Sequence, residues 1–142
     1  MAHENTAASS RRRDMALRPW LAHLEATGRL AIMKPGIKLK HELGGIANRL
    51  DGRKATLFPA AGDSDISVIS GLLSDRNWMA ESLGLEGAAL LEVFQDAVAK
   101  PLPWTEIKDA PCQQVVHDDG DLLSLLPIPT HNEHDSGAYI TA

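Results

Sequence analysis

Apolar residues at helical spacing alternate along this chain with short runs of strand-forming residues, and this alternation restricts the folds open to it. Leu17, Trp20, Leu21 and Leu24 stand at i, i+3, i+4 and i+7, which is one face of an α-helix. The same criteria predict three further helices and three strands, the helices at 43–50, 75–83 and 87–99 and the strands at 29–34, 55–58 and 66–70. The sequence therefore predicts an α/β fold, with α+β as the alternative, made of a small mixed sheet and about four helices.

The core must be built mainly from aliphatic side chains. The chain has 142 residues, which suits one domain, and 44% of them are hydrophobic, but only six are aromatic. Trp20, Trp78 and Trp104 are predicted to anchor the core, because a large ring gains most from burial. The isolated His23 and His41 are predicted to lie at the surface, on the polar faces of helices.

Charge is unevenly distributed along the chain, whose formal net charge is -5. Residues 1–13 carry three arginines against Glu4 and show no apolar periodicity, which predicts a disordered leader. After Lys108 the chain has no Lys or Arg and six acids, which are Asp109, Asp118, Asp119, Asp121, Glu133 and Asp135. Nucleic acid binding needs clustered positive charge. The body of the chain lacks such a cluster, so we expect no nucleic acid partner.

The cysteine count and the hydropathy pattern indicate the compartment. Cys112 is the single cysteine, so an internal disulfide is excluded and a reducing, cytoplasmic location is predicted. No apolar run approaches 18 residues, so no membrane span is predicted. The first residues lack the apolar stretch of a secretory signal.

The last third of the chain differs from the rest because turn residues and prolines dominate it. CQQVV at 112–116 predicts a strand, Asp121 is expected to cap a one-turn helix, and 127–137 is predicted to be a loop. AYITA at 138–142 predicts another strand. A strand that starts there would expose an unpaired edge. We therefore expect the natural chain to continue beyond it.

HNEHD at 131–135 is the strongest candidate for a metal site. His131, Glu133, His134 and Asp135 supply imidazole and carboxylate groups, which suit zinc, manganese or iron. The surrounding prolines and the Ser-Gly pair that follows disfavour the helix that would align them, and the spacing is not HExxH. A solvated loop is therefore favoured. A small metal-dependent hydrolase that uses both histidines and Asp135 remains an alternative hypothesis.

Two other patterns could carry chemistry. Cys112 and His117 could form a nucleophile and its base, but positions five apart on one strand point to opposite faces. A buried or half-buried structural cysteine is therefore favoured. The segments around Gly44-Gly45 and Gly71 lack the spacing of a phosphate-binding loop. These glycines are predicted to serve close packing or turns.

Four stretches together resemble the UbiD family of decarboxylases. LRPWLAHLEATGRL at 17–30 is similar to the opening helix of that family, and HELGGIANRL at 41–50 is similar to the helix that follows. SGLLSDRNWMAESLGL at 70–85 matches a later helix. The most specific resemblance is DGDLLSLLPIPTHNEHDSGAYITA at 119–142. The resemblance spans about residues 14–142, which is only the first part of a family member.

The resemblance implies a domain organisation and an activity. Residues 14–126 would form the N-terminal domain, and 127–142 would be the linker and first strand leading into a flavin-binding split barrel that is absent. The full-length enzymes are non-oxidative, often reversible carboxy-lyases of aromatic, heteroaromatic or α,β-unsaturated acids. They use prenylated FMN supplied by a flavin prenyltransferase, with Mn2+ and K+, and are commonly homo-oligomers. The cofactor provides the electron sink, and the protein provides orientation and a proton donor.

No catalytic, cofactor-binding or metal residue is assigned in this chain. The family's metal ligands and its Glu–Arg–Glu network lie beyond the matched region, and Ala142 alone aligns with a cofactor-pocket position of some members. The sequence therefore predicts an inactive N-terminal part of a carboxy-lyase. The alternative is an accessory module that completes a separate catalytic subunit, with 138–142 pairing to the sheet of that subunit.

Overall fold

The computed structural model describes residues 16–141. The predicted leader and Ala142 lie outside the described residues. The helices in the described part are α1 Leu17–Ala26, α2 Glu42–Leu50, α3 Arg76–Ser82, α4 Leu90–Ala99 and α5 Leu122–Leu125. The strands are β1 Leu30–Ile32, β2 Ala55–Phe58 and β3 Val68–Ser70. Short 3-10 turns lie at Gly87–Ala89 and Pro111–Gln113.

The three strands form one mixed sheet in the order β1-β2-β3. β1 and β2 are parallel, with Leu30 opposite Ala55, and α2 lies in the crossover that a parallel pair requires. β2 and β3 are antiparallel, with Phe58 opposite Val68. The predicted α/β class with a small mixed sheet is confirmed.

Two apolar clusters form the core, one on each face of β2. Trp20 and Leu24 of α1 pack with Ala55 and with Trp78 of α3. The second cluster joins Leu43 of α2 to Phe58 and Ala61, with the surrounding half-buried side chains Met33, Ile37, Leu39, Ile46 and Val68. Because neighbouring strand positions alternate in direction, Ala55 and Phe58 point to opposite faces of the sheet. Helices therefore cover both faces.

Aspartate side chains cap the first turns of two helices, and a glycine follows the end of one of them. The Asp75 side chain accepts a hydrogen bond of 2.7 Å from the backbone N–H of Asn77 and so caps α3. Asp121 caps α5 in the same way. Gly84 follows α3 with φ at +67°, a conformation that glycine adopts without steric cost. Within the described residues, no helix is long and apolar enough to cross a membrane.

Four predictions for the last third and the tryptophans are wrong. Residues 112–116 form a 3-10 turn and a bend rather than a strand, and 138–141 are not in a strand. A strand exists only through hydrogen bonds to a neighbour, and no described segment lies beside either one. Trp104 is 84% exposed, whereas Trp20 and Trp78 are buried as predicted. Cys112 is free and exposed.

Residues 91–126 form an arm, a name kept below for this segment. Of its 36 residues only Ala110 is even half-buried. The apolar stripe predicted for α4 is present, but only its first residue, Leu90, is buried. The chain is buried again at Pro127. The arm is therefore an uncovered segment that is anchored to the domain at both ends.

Candidate functional site

The segment after the arm returns to the domain and packs beside α2. The backbone N–H of Thr130 donates to the carbonyl of Leu39 at 3.2 Å, and the N–H of His41 donates to the carbonyl of Thr130 at 2.8 Å. These bonds form an isolated parallel bridge between Lys40 and Thr130. His41 is half-buried here with φ at +66°, which is rare for a non-glycine residue. Its predicted position on an exposed polar helix face is therefore wrong.

Gly44 makes this close approach possible. A Cβ atom at position 44 would lie 3.1 Å from the Cα atom and 3.2 Å from the carbonyl oxygen of His131. The adjacent Gly45 faces open space, where a Cβ would meet no atom within 4 Å. The predicted close-packing role is thus found at Gly44, and the structure brings the HNEHD segment onto α2 through it.

A cleft of about 400 Å³ lies between α2, the end of β3 and this returning segment. Its polar lining consists of one carboxylate, two carboxamides, a hydroxyl and an imidazole, from Asp51, Asn48, Asn132, Ser70 and His131. These groups can donate and accept hydrogen bonds, but no Lys or Arg lines the cleft. The cleft can therefore hold a polar neutral group or a peptide segment more readily than an anion.

The HNEHD segment is held as a loop by Asp135. The Asp135 carboxylate accepts hydrogen bonds from the backbone N–H groups of Asn132 at 2.8 Å and His131 at 3.2 Å. The Asn132 bond is the main cause of a lowered pKa at Asp135. Residues 16–141 contain no group of three or more His, Cys, Asp or Glu side chains arranged to hold a metal ion. The hydrolase hypothesis therefore has no site in the described part of the chain.

A second polar cluster joins α1, the residue directly before β1, and α3. Arg29 donates two hydrogen bonds to the Glu81 carboxylate, from Nη1 at 2.6 Å and from Nη2 at 2.8 Å. His23 Nε2 lies 2.6 Å from Oε1 of Glu81. The Arg29 guanidinium also lies over the Trp78 ring, and the His23 ring stacks on Trp20, each at 5.4 Å. Arg29 and His23 therefore each contact one tryptophan of the first core cluster, and both also contact Glu81.

The electrostatics of this cluster are dominated by the Arg29–Glu81 pair. Hydrogen bonds from Arg29, with smaller contributions from His23, lower the pKa of Glu81 to about 2, against the opposing effect of desolvation. The bond to Glu81 likewise raises the pKa of Arg29. Sequence spacing could not have found the cluster, because 52 and 58 residues separate Glu81 from its partners. We interpret it as a structural clamp.

Replacing Glu81 by glutamine is expected to lower the free energy of unfolding at pH 7 by up to about 1 kcal/mol, since solvent screens this partly exposed pair. Because the folded-state pKa of Glu81 lies below its ordinary value of 4.5, the unfolded state takes up the proton first on acidification. The contribution of Glu81 is therefore present above that value and is lost as the pH falls towards about 2.

Urea unfolding of the unaltered protein and of Glu81→Gln between pH 7 and pH 2 measures this difference. Glu25→Gln in the exposed part of α1 is the matched control and should change little. Parallel stability curves for the unaltered protein and Glu81→Gln would contradict the clamp.

Comparison with known proteins shows to which family the chain belongs. Residues 21–98 match the family model of the 3-octaprenyl-4-hydroxybenzoate carboxy-lyase N-terminal domain, which covers more than half of the chain. Residues 105–142 match the model of the Rift-related domain of the same carboxy-lyase. The chain belongs to the UbiD family.

Individual relatives agree with this assignment. A protein of the cooM 5' region of Rhodospirillum rubrum is 34% identical over an alignment of 127 residues that covers 84% of this chain and 27% of that protein. An evolved dimeric form of the UbiD-class enzyme HmfF from Pelotomaculum thermopropionicum, solved in complex with prFMN, superposes with a TM-score of 0.81 at 33% identity over 90% of this chain. HmfF in complex with FMN gives a TM-score of 0.79, also at 33% identity, over 89% of this chain.

This UbiD-family chain spans less than a third of the length of each of these relatives. It covers 27% of the Rhodospirillum protein and 31% and 29% of the two HmfF chains. Both candidate places described above, the cleft beside α2 and the Glu81 clamp, lie within the segments that the two family models match. The cleft includes residues from both matched family models, since Gly44 belongs to the first and His131 to the second.

Proposed function

We propose that this chain is the N-terminal part of a UbiD-like non-oxidative carboxy-lyase that decarboxylates an aromatic, heteroaromatic or α,β-unsaturated acid reversibly. The observation that carries the proposal is the superposition on HmfF in complex with prFMN, over 90% of this chain at 33% identity. The consecutive matches to two carboxy-lyase domain models support it. The cofactor of the whole enzyme is prenylated FMN, which a flavin prenyltransferase supplies, and Mn2+ and K+ accompany it.

The cleft beside α2 does not fit this cofactor by itself. A flavin phosphate needs positive groups or a bound cation, and no Lys or Arg lines this cleft. The described part of the chain also lacks a group of three metal-ligating side chains. We therefore assign no catalytic step to these residues. Their role in the proposal is to complete and orient the neighbouring catalytic region.

The division of the chain is part of the proposal. Residues 14–126 form the N-terminal unit, and 127–142 lead into the cofactor-binding region. The hydrogen bonds of Thr130 to the α2 side of the domain support a defined exit path. The proposed enzyme is a cytoplasmic homo-oligomer, and the free, exposed Cys112 suits a reducing compartment.

The 142-residue chain co-expressed with a flavin prenyltransferase is expected to purify without flavin and to release no CO2 from its candidate acids. The physical reason is the missing set of phosphate and metal ligands described above. An absorption spectrum of the purified chain measures flavin content. A stoichiometric flavin band would contradict the expectation.

The natural polypeptide tests the activity itself. We expect the protein isolated at its natural length, with the prenyltransferase co-expressed, to bind prenylated FMN and to release CO2 from aromatic, heteroaromatic or α,β-unsaturated acids. Absence of both flavin and CO2 release would refute the carboxy-lyase proposal.

The accessory-module hypothesis has one specific observation in its favour. Tyr139 and Ile140 are 64% and 58% exposed in a segment with strong strand propensity and no strand partner among the described residues. If the natural chain has a mass near 15.3 kDa, deletion of 138–142 should abolish association with a catalytic subunit and leave the domain folded. A mass several times larger would favour the single-chain enzyme.

A further inference from the structure

One face of α2 forms the first wall of the cleft described above. Gly44, Asn48 and Asp51 line the cleft at i, i+4 and i+7, with Asp51 directly after the last helical residue. The opposite face of the helix carries Leu43 and Ile46 into the second core cluster. The cleft wall therefore consists of small and polar residues on a helix that core packing holds in place.

The HNEHD segment forms the second wall. His131 and Asn132 line the cleft, and their backbone N–H groups both donate to the Asp135 carboxylate. The backbone of His131 is also held against Gly44, where a Cβ atom would lie 3.1 Å from its Cα atom. Because both walls are already fixed, little conformational entropy is lost when a ligand enters between them.

The five polar side chains of the cleft have free hydrogen-bonding capacity. Within residues 16–141, only one of them has a protein partner, since the Asn132 carboxamide lies 3.5 Å from the Asp135 carboxylate. A carboxylate such as that of Asp51 only accepts hydrogen bonds, whereas a carboxamide or a hydroxyl both donates and accepts. The cleft therefore matches a ligand whose own groups donate and accept in the same way, as hydroxyl groups do.

The remainder of the lining excludes several classes of ligand. In the described part of the chain, Ala47 supplies its single aliphatic side chain, and the other members are Gly44, Gly45 and Gly71. An aromatic ring or an acyl chain would find little apolar surface to bury. The cleft also has no Lys or Arg to hold a carboxylate or a phosphate. It is therefore unsuited to the acids and the flavin of the proposed enzyme.

A peptide strand and a metal ion also fit this cleft poorly. Of β3, only Ser70 lines the cleft, so an added peptide strand would have no edge to pair with along its length. Asp51 supplies the single carboxylate, which gives a divalent ion little charge compensation. The volume of about 400 Å³ instead lies in the usual range of small-molecule sites, about 300–1,000 Å³.

We infer that the cleft beside α2 binds a small neutral polyhydroxylated molecule, such as a monosaccharide or a cyclic polyol. Its hydroxyl groups donate to the Asp51 carboxylate and exchange hydrogen bonds with the carboxamides of Asn48 and Asn132. The glycines of the lining let the ligand approach the backbone closely. This binding is independent of the proposed carboxy-lyase activity, whose substrate and cofactor the cleft does not suit.

Saturation-transfer difference NMR on the protein at its natural length tests the site with three probes, which are D-glucose, D-ribose and myo-inositol. Benzoate is the competing control, because it combines a carboxylate with a flat ring. We expect saturable binding of at least one of the three polyols and no displacement of that polyol by benzoate.

Three variants locate the binding. Asp51→Ala removes the carboxylate and should weaken polyol binding about tenfold, since hydrogen bonds to charged groups are among the stronger ones. Asp63→Ala is the matched control, because it removes an exposed carboxylate that does not line the cleft. Gly45→Val adds a side chain where a Cβ meets no protein atom within 4 Å, and it should weaken binding by occupying part of the cleft.

Four results would overturn the inference: no saturable binding of any of the three polyols, displacement by benzoate, equal affinity in Asp51→Ala and the unaltered protein, or loss of binding after EDTA removes divalent ions. Flavin absorption and CO2 release of the same preparation keep this test separate from the proposed function. Polyol binding without flavin and without CO2 release would leave the cleft assignment intact and refute the carboxy-lyase. Flavin and CO2 release without polyol binding would do the reverse.

Discussion

Phe58→Ala is expected to lower the free energy of unfolding by about 3–5 kcal/mol, because it removes a fully buried aromatic side chain and leaves a cavity. Phe58 is 0% exposed and packs between Leu43 of α2 and Ala61. Leu39 borders the same cluster and receives the hydrogen bond from Thr130. The cavity should therefore also weaken the packing of the segment around Thr130.

The second phenylalanine of the chain supplies a matched control. Phe94 is 63% exposed on the arm, so Phe94→Ala should change the stability of the 142-residue chain by less than about 0.5 kcal/mol. Urea denaturation monitored by tryptophan fluorescence measures both variants. Equal losses for the two substitutions would mean that Phe94 is covered in solution, and a small loss for Phe58→Ala would contradict the second core cluster.

Gly44→Val is expected to destabilise the protein by about 1–3 kcal/mol, the usual cost of forcing a larger side chain into a packed contact. The first added carbon would already lie 3.1 Å from two atoms of His131, one of them a backbone atom. Relief requires movement of the segment around Thr130, and that movement strains its hydrogen bonds to Leu39 and His41.

Gly45→Val isolates the packing effect from helix propensity. Both glycines lie in α2, but a Cβ at position 45 meets nothing within 4 Å. Valine and glycine differ in helix propensity by only a few tenths of a kcal/mol, so this variant should keep nearly unaltered stability. Amide hydrogen exchange at His41 and Thr130 gives a local readout. Faster exchange in Gly44→Val alone is the expected result, and identical exchange in both variants would refute the contact.

Helices and their ends were predictable because their causes are local. The α1 stripe from Leu17 to Leu24 and the Asp75 cap each depend on side chains within a few positions of one another. β2 was predicted at its full extent, since ATLF is a compact run between Lys54 and Pro59. The same local pattern carried the resemblance to the UbiD family, which the family models confirm.

The failures have a common physical cause. CQQVV and AYITA have strand composition, but a strand is completed only by a partner, and the described residues offer none beside 112–116 or 138–141. Trp20, Trp78 and Trp104 are the same residue type, yet only the first two lie in one core cluster, while Trp104 lies on the arm at 84% exposure. Composition predicts the preference for burial and does not specify the neighbour that satisfies it.

The sequence by itself determined the α/β class, the helix boundaries, the acidic character of the arm and the family, because each rests on residue type and short-range spacing. Only the tertiary structure decided which distant groups meet. It joined Arg29 to Glu81 across 52 residues, brought His131 onto Gly44, and left the apolar face of α4 uncovered. Such contacts depend on how the sheet and helices bring remote segments together, and the free energy of that packing is not encoded in any one stretch of the chain.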